Sequence, residues 1–179
     1  MRLALALCLI AAPALAETCP PAPNHAAELR ELQARARQAP DEASARPLLR
    51  QMWALWTDAP DAYAQELLNE GMERRDAYDF EGAIKAFDAL VDHCPEYAEG
   101  YNQRAFVQFL RQDYGPALEN VDRALALNPT HLGALTGKAL VLMQMGRFDE
   151  GQEMLRGAVD LDPWLPERGM LVQKPGEEL

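Results

Sequence analysis

Apolar and small residues in this chain recur three and four positions apart, in stripes that come in pairs. Tyr101, Ala105 and Gln108 form one stripe, and Ala117, Val121 and Ala124 form the next. Such spacings put side chains on one helical face. The pattern therefore predicts two amphipathic helices of roughly a dozen residues each, joined by a turn. The whole unit returns 34 residues earlier and 34 later, marked by Pro95, Pro129 and Pro163. Frames begin at Ala64, Ala98 and Leu132. Position 8 is then Gly71, Ala105 and Ala139, and position 17 is Phe80, Tyr114 and Phe148. Position 20 is Ala83, Ala117 and Gly151, and position 24 is Phe87, Val121 and Leu155. Position 27 is Leu90, Ala124 and Ala158, with the proline always at position 32.

This spacing has a physical reading. Small residues at positions 8 and 20 allow two antiparallel helices to approach closely, and the aromatic at 17 is placed to plug the gap beside their turn. Leu-Asn-Pro at 127–129 and Leu-Asp-Pro at 161–163 close the second helices, because proline disfavours helical geometry in the residue before it and starts the next helix well. A single hairpin of this kind cannot bury its apolar faces, so neighbours must stack.

The period and these positions resemble the tetratricopeptide repeat family over residues 64–165. The resemblance implies an all-α fold: a right-handed superhelical stack of antiparallel helix pairs, with repeats at 64–97, 98–131 and 132–165. Position 4 is Leu67, Tyr101 and Leu135 where the family has Trp, and position 11 is Arg74, Gln108 and Leu142 where it has Tyr. In this family the first helices of successive repeats line a concave groove. Carried over, the groove residues are Leu68, Met72 and Arg75, then Asn102, Phe106 and Phe109, then Thr136, Leu140 and Met143. Phe106 and Phe109 stand off the packing stripe of Tyr101 and Ala105, and with Met they make an adaptable apolar surface; Asn102 is placed to hold a peptide backbone. The competing reading packs these side chains between neighbouring helices. Some relatives grip a C-terminal carboxylate with Lys and Asn. The matching positions here are Leu68, Met72, Gln103, Gly133 and Gly137, so that charged clamp is absent.

Residues 24–63 carry two further stripes, Leu29, Leu32 and Ala36, then Leu48, Met52 and Leu55, beside Trp53 and Trp56. They read as a degenerate repeat or an unrelated hairpin, and both readings cover the apolar edge of the first clear repeat. The tail from 166 to 179 is too short for a full capping helix. Either Trp164, Leu165, Met170 and Leu171 fold back as a short cap, or the last repeat meets a partner or another copy.

Residues 1–16 have one Arg, an apolar run and Ala14-Leu15-Ala16, the pattern of a cleaved secretory leader, and its style is bacterial. The expected address is the periplasm, with secretion as second choice. A flexible Pro-rich stretch at 17–23 follows. In an oxidising compartment Cys19 and Cys94 are candidates for a disulfide, worth roughly 4 kcal/mol in the chain-entropy model; the alternative is two unpaired thiols. There is no Cys-x-x-Cys pair to suggest redox chemistry.

A net charge of −11 excludes phosphate backbones as natural partners and favours neutral or basic protein surfaces. The sequence contains no phosphate-binding Gly-rich loop and no paired-His motif. His25 lies near the start, His93 and His131 fall in inter-repeat turns, and the His93–Cys94 neighbours read as incidental. The expectation is a non-enzymatic module without catalytic residues, metal or cofactor, and with no membrane span after the leader. It would scaffold an envelope complex through its groove; the alternative is self-association through the thinly capped last repeat.

Overall fold

The computed structural model describes residues 18–172; the leader at 1–16 and the tail from 173, with Pro175 and Gly176, lie outside the described residues. Within them the chain is all-α. α1 (Ala26–Arg37) and α2 (Glu42–Trp56) precede the repeats. The repeats are α3 (Ala62–Asp76) with α4 (Phe80–His93), α5 (Ala98–Leu110) with α6 (Tyr114–Leu127), and α7 (Leu132–Gln144) with α8 (Phe148–Leu161). A 3₁₀ turn, Pro166–Met170, closes the described chain.

Each repeat turns the same way between its two helices. Position 15 is left-handed in all three: Tyr78 at φ 62°, Gln112 at 66° and Gly146 at 79°. The next residue's N–H reaches back five positions, from Asp79 to Arg74, Asp113 to Gln108 and Arg147 to Leu142, at 2.8, 2.9 and 2.9 Å. These bonds satisfy carbonyls that the helix end leaves open. Asp79 also caps α4, its carboxylate accepting from Gly82 N–H at 3.0 Å.

The small positions are needed where expected. A Cβ on Gly71 would overlap the Phe87 ring, and one on Gly151 would overlap Met143 and the Ala139 carbonyl. Around these approaches lie the buried clusters, Leu67, Leu68, Phe87 and Leu90 in the first repeat and Ala105, Val121, Ala124 and Ala134 between the second and third. The aromatic at position 17 behaves less uniformly. Phe80 packs against the first cluster and Tyr114 against Phe109 at 5.9 Å, but Phe148 is 63% exposed and plugs nothing.

The N-terminal hairpin differs most from expectation. It does not cover the first repeat. Leu32, Ala36, Leu48, Met52 and Trp56 instead share a core with Leu132, Ala158 and Leu165 of the third repeat and its tail. Gln33 Nε2 donates to the Thr130 carbonyl at 3.2 Å, and Arg168 pairs with Glu42 at 3.1 Å. The reason lies in which edge is apolar. α3 turns Glu66, Asn69, Glu70 and Glu73 outward, all exposed, and needs no cover. The α7–α8 edge offers Leu132, Leu135, Ala158 and Leu161, and each leucine gains roughly 1.5–3 kcal/mol on full burial. Leu165 joins that core while Met170 stays exposed, so the tail contributes only part of the cap. Of the Pro-rich stretch, residues 18–23 are described, and there Cys19 is bonded to Cys94 with Cα atoms 5.1 Å apart.

Candidate partner-binding groove

First helices α3, α5 and α7 form one wall of a cavity of about 410 Å³. Its aromatic side is Phe106 and Phe109 from α5, with Phe106 43% exposed. Facing them, α7 presents Thr136, Leu140 and the bare backbone of Gly133 and Gly137. A Cβ on Gly137 would meet its nearest neighbour, Val121, only at 3.9 Å, so the floor there is open. Trp53 from α2 and Glu167 from the 3₁₀ turn close the far side.

Six of the nine residues carried over from the sequence meet at this cavity: Arg75, Asn102, Phe106, Phe109, Thr136 and Leu140. The other three lie in cores. Leu68 is fully buried with Leu67, Phe87 and Val107, and Met72 packs on the same cluster. Met143 is buried against Ala139 and Leu155, because the missing side chain of Gly151 leaves a slot that it fills. Trp53, Asp76 and Glu167 were not foreseen. Trp53 and Glu167 belong to segments outside the clear repeats, and periodicity does not tell which end of the stack a flanking hairpin will choose.

The polar groups beneath the cavity are already spoken for. Arg75 binds Asp76 at 2.7 Å, donates to Gln103 Oε1 at 2.5 Å and sits 5.4 Å above the Phe106 ring. Gln103 Nε2 donates to Glu99 Oε1 at 2.5 Å, while Asn102 Nδ2 and His131 Nε2 reach Glu99 Oε2 at 3.1 and 2.8 Å. His131 is not merely a turn residue. It caps α7 by accepting from Ala134 N–H at Nδ1, 3.2 Å away, which leaves Nε2 as the protonated nitrogen facing Glu99. Trp56 stacks on its imidazole with centroids 4.6 Å apart. Nearby, Tyr97 Oη donates to the Trp56 carbonyl at 2.7 Å; burial, with Glu99 and Asp58 beyond it, pushes that phenol well above its ordinary range. This network joins the repeats to one another and to α2. Its hydrogen bonds fasten α5 to the residue that caps α7.

A tetratricopeptide repeat model matches residues 108–172. The chain is a tetratricopeptide-type stack. It is 38% identical over 76 residues to the tetratricopeptide repeat protein 36 homolog of Nematostella vectensis, covering 42% of this chain and 41% of that protein. A TPR repeat-containing protein of Rhizobium etli is 27% identical over 107 residues, covering 60% and 52%. The chain thus spans about half the length of the relatives it matches. Among solved structures, the TPR2B domain of yeast Sti1, in complex with pHsp70, superposes with a TM-score of 0.55 at 25% identity. That match covers 56% of this chain and 81% of the Sti1 chain. No helix among the described residues is long and apolar enough to cross a membrane.

Proposed function

We propose that this tetratricopeptide stack holds a short segment of a partner protein in the groove between α2, α3, α5 and α7, as a non-enzymatic scaffold or assembly factor of the bacterial envelope. The observation that carries the reading is the cavity itself: exposed Phe106 and half-buried Phe109 lie across from an open glycine floor at Gly137. Its volume suits a few apolar side chains rather than a whole helix. The charges on its rim choose among partners. Arg75 is engaged by Asp76 and Gln103 and is not free to grip a terminal carboxylate. Asp76 and Glu167 flank the opening, in a chain of net charge −11. A segment with one or two bulky apolar anchors beside Lys or Arg is therefore the complementary ligand.

The Sti1 TPR2B domain, solved in complex with pHsp70, supports capture of a partner's segment as the mode. The leader-like residues 1–16 support export to the periplasm. The packing of α1 and α2 on the α7–α8 edge weighs against the alternative, self-association through the last repeat.

Peptide display against the purified protein tests this reading. Enriched peptides should pair an aromatic or aliphatic anchor with basic neighbours. Their binding should fall at least about tenfold in Phe106→Glu and in Gly137→Val, the loss of one well-buried anchor. Enriched peptides that bind both folded variants unchanged would remove the groove from the account.

A further inference from the structure

Away from the groove, the joint between the first repeat and the beginning of the described chain gathers four side chains with metal-binding chemistry. Cys19, Asp61, His93 and Cys94 come from three separate stretches, and their candidate ligand atoms all lie within 4.8 Å of one another. His93 ends α4 and Cys94 follows it, while Asp61 caps α3. His93 Nε2 stands 2.9 Å from Asp61 Oδ2, and Tyr63 packs edge-on against the imidazole at 5.0 Å. Asp61 Oδ1 is held by Ala64 N–H at 2.7 Å, which leaves Oδ2 as the available oxygen. A cavity of about 620 Å³ opens onto Cys19, His93 and Cys94, and Asp92 and Glu96 on its wall favour the entry of cations.

In the disulfide form the two sulfurs are committed to each other. We propose that reducing Cys19–Cys94 converts this cluster into a four-ligand zinc site built from the two thiolates, His93 Nε2 and Asp61 Oδ2. Two sulfurs, an imidazole and a carboxylate form a donor set that tetrahedral zinc accepts. The chemistry balances with a dithiol reductant. It delivers two electrons and two protons, its own disulfide forms, the Sγ–Sγ bond breaks, and Cys19 and Cys94 become thiols. Zinc then displaces both thiol protons, and the neutral imidazole carries its proton on Nδ1, leaving the Nε2 pair for the metal. The sulfurs must separate to ligand spacing, and the non-helical stretch around Cys19 can absorb that movement. Disulfide and zinc exclude each other, so the same four residues hold the joint in either redox state.

The test takes the full chain, reduces it, removes the reductant under nitrogen and titrates it with cobalt(II). One equivalent should bind, with thiolate-to-cobalt charge-transfer absorption and the strong visible bands of tetrahedral cobalt, and zinc should bleach both. The oxidised protein should show neither. Asp61→Asn, which preserves the helix cap, and His93→Ala should each weaken zinc binding by at least about tenfold, the loss that even an outer-shell partner's removal produces. Absence of cobalt uptake by the reduced chain overturns the proposal. So does uptake that is equal in the oxidised chain, or that neither variant weakens.

Discussion

Glu99 and His131 share a hydrogen bond of 2.8 Å inside the stack, each side chain only 1% exposed, and through it the second repeat is fastened to the third. The carboxylate also accepts from Asn102 and Gln103, so three donors converge on a group that has no hydrogen to offer. Glu99→Gln puts an NH₂ where one of those donors points. His131 cannot answer by changing tautomer, because Nδ1 already accepts from Ala134 N–H. Gln103 cannot flip without losing Arg75. Leaving such a buried group unpaired costs about 2–3 kcal/mol, which urea unfolding would read directly. Glu96→Gln, at a side chain 75% exposed, should change stability by less than about 0.5 kcal/mol. Equal effects at the two positions would mean that the network contributes nothing.

Trp56 anchors the hairpin to the far repeat, stacking on His131 and packing with Leu132. Trp56→Ala opens a cavity at that contact and should cost roughly 3 kcal/mol or more. Hydrogen exchange locates the damage. Amides of α1, α2 and the start of α7 should lose protection, while those of α3 and α4 keep theirs. Loss concentrated in α3 and α4 would instead mean that the hairpin sits on the first repeat.

The 34-residue period made the three helix pairs and their close approaches legible, because Gly71 and Gly151 answer a local demand that each frame repeats. Part of the groove wall was legible too, because Phe106 and Phe109 fall off their helix's packing stripe. Leu68 and Met143 show where that reasoning stops. Which apolar residues of a first helix face outward depends on what the adjacent helix leaves unfilled, and Met143 was drawn inward by a glycine eight residues on. The docking of α1 and α2 was less accessible still. It depends on comparing the polarity of two edges far apart in sequence, Glu66 and Glu70 on one, Leu132 and Leu161 on the other. His131 looked like a turn residue because its partner, Glu99, lies 32 positions away.

Gln112 occupies the left-handed position of the second turn at φ 66°, where the third repeat uses Gly146. An L-residue with a Cβ pays roughly 1–2 kcal/mol there, part of which glycine returns through its larger unfolded freedom. Gln112→Gly should therefore stabilise the protein, by on the order of 0.5–1 kcal/mol. Gln112→Val, β-branched and poorly suited to positive φ, should lower stability. A thermal melt of both variants decides it, and destabilisation by glycine would mean that the Gln112 side chain contributes more than its backbone strain costs.

Asp162 has no exposed surface, and its two oxygens fare differently. Oδ1 accepts from Trp164 N–H at 2.9 Å, whereas Oδ2 has no partner. Burial pushes the carboxyl above its usual 3.8, against the pull of the Trp164 N–H and the Arg168 charge. A carboxyl raised on folding favours the folded state while it is protonated, and that advantage is lost as pH climbs from 3.8 through the folded value. At neutral pH the ionised group therefore opposes folding. The equivalent position one repeat earlier is Asn128, whose Oδ1 serves Thr130 N–H at 3.3 Å without a charge. Asp162→Asn should raise the melting temperature at pH 7, and the gain should shrink as the buffer is taken below 3.8, where the natural carboxyl is itself neutral. A gain that stays constant with pH would assign the effect to packing, and a lower melting temperature at pH 7 would show that the ionised Oδ2 has a stabilising partner.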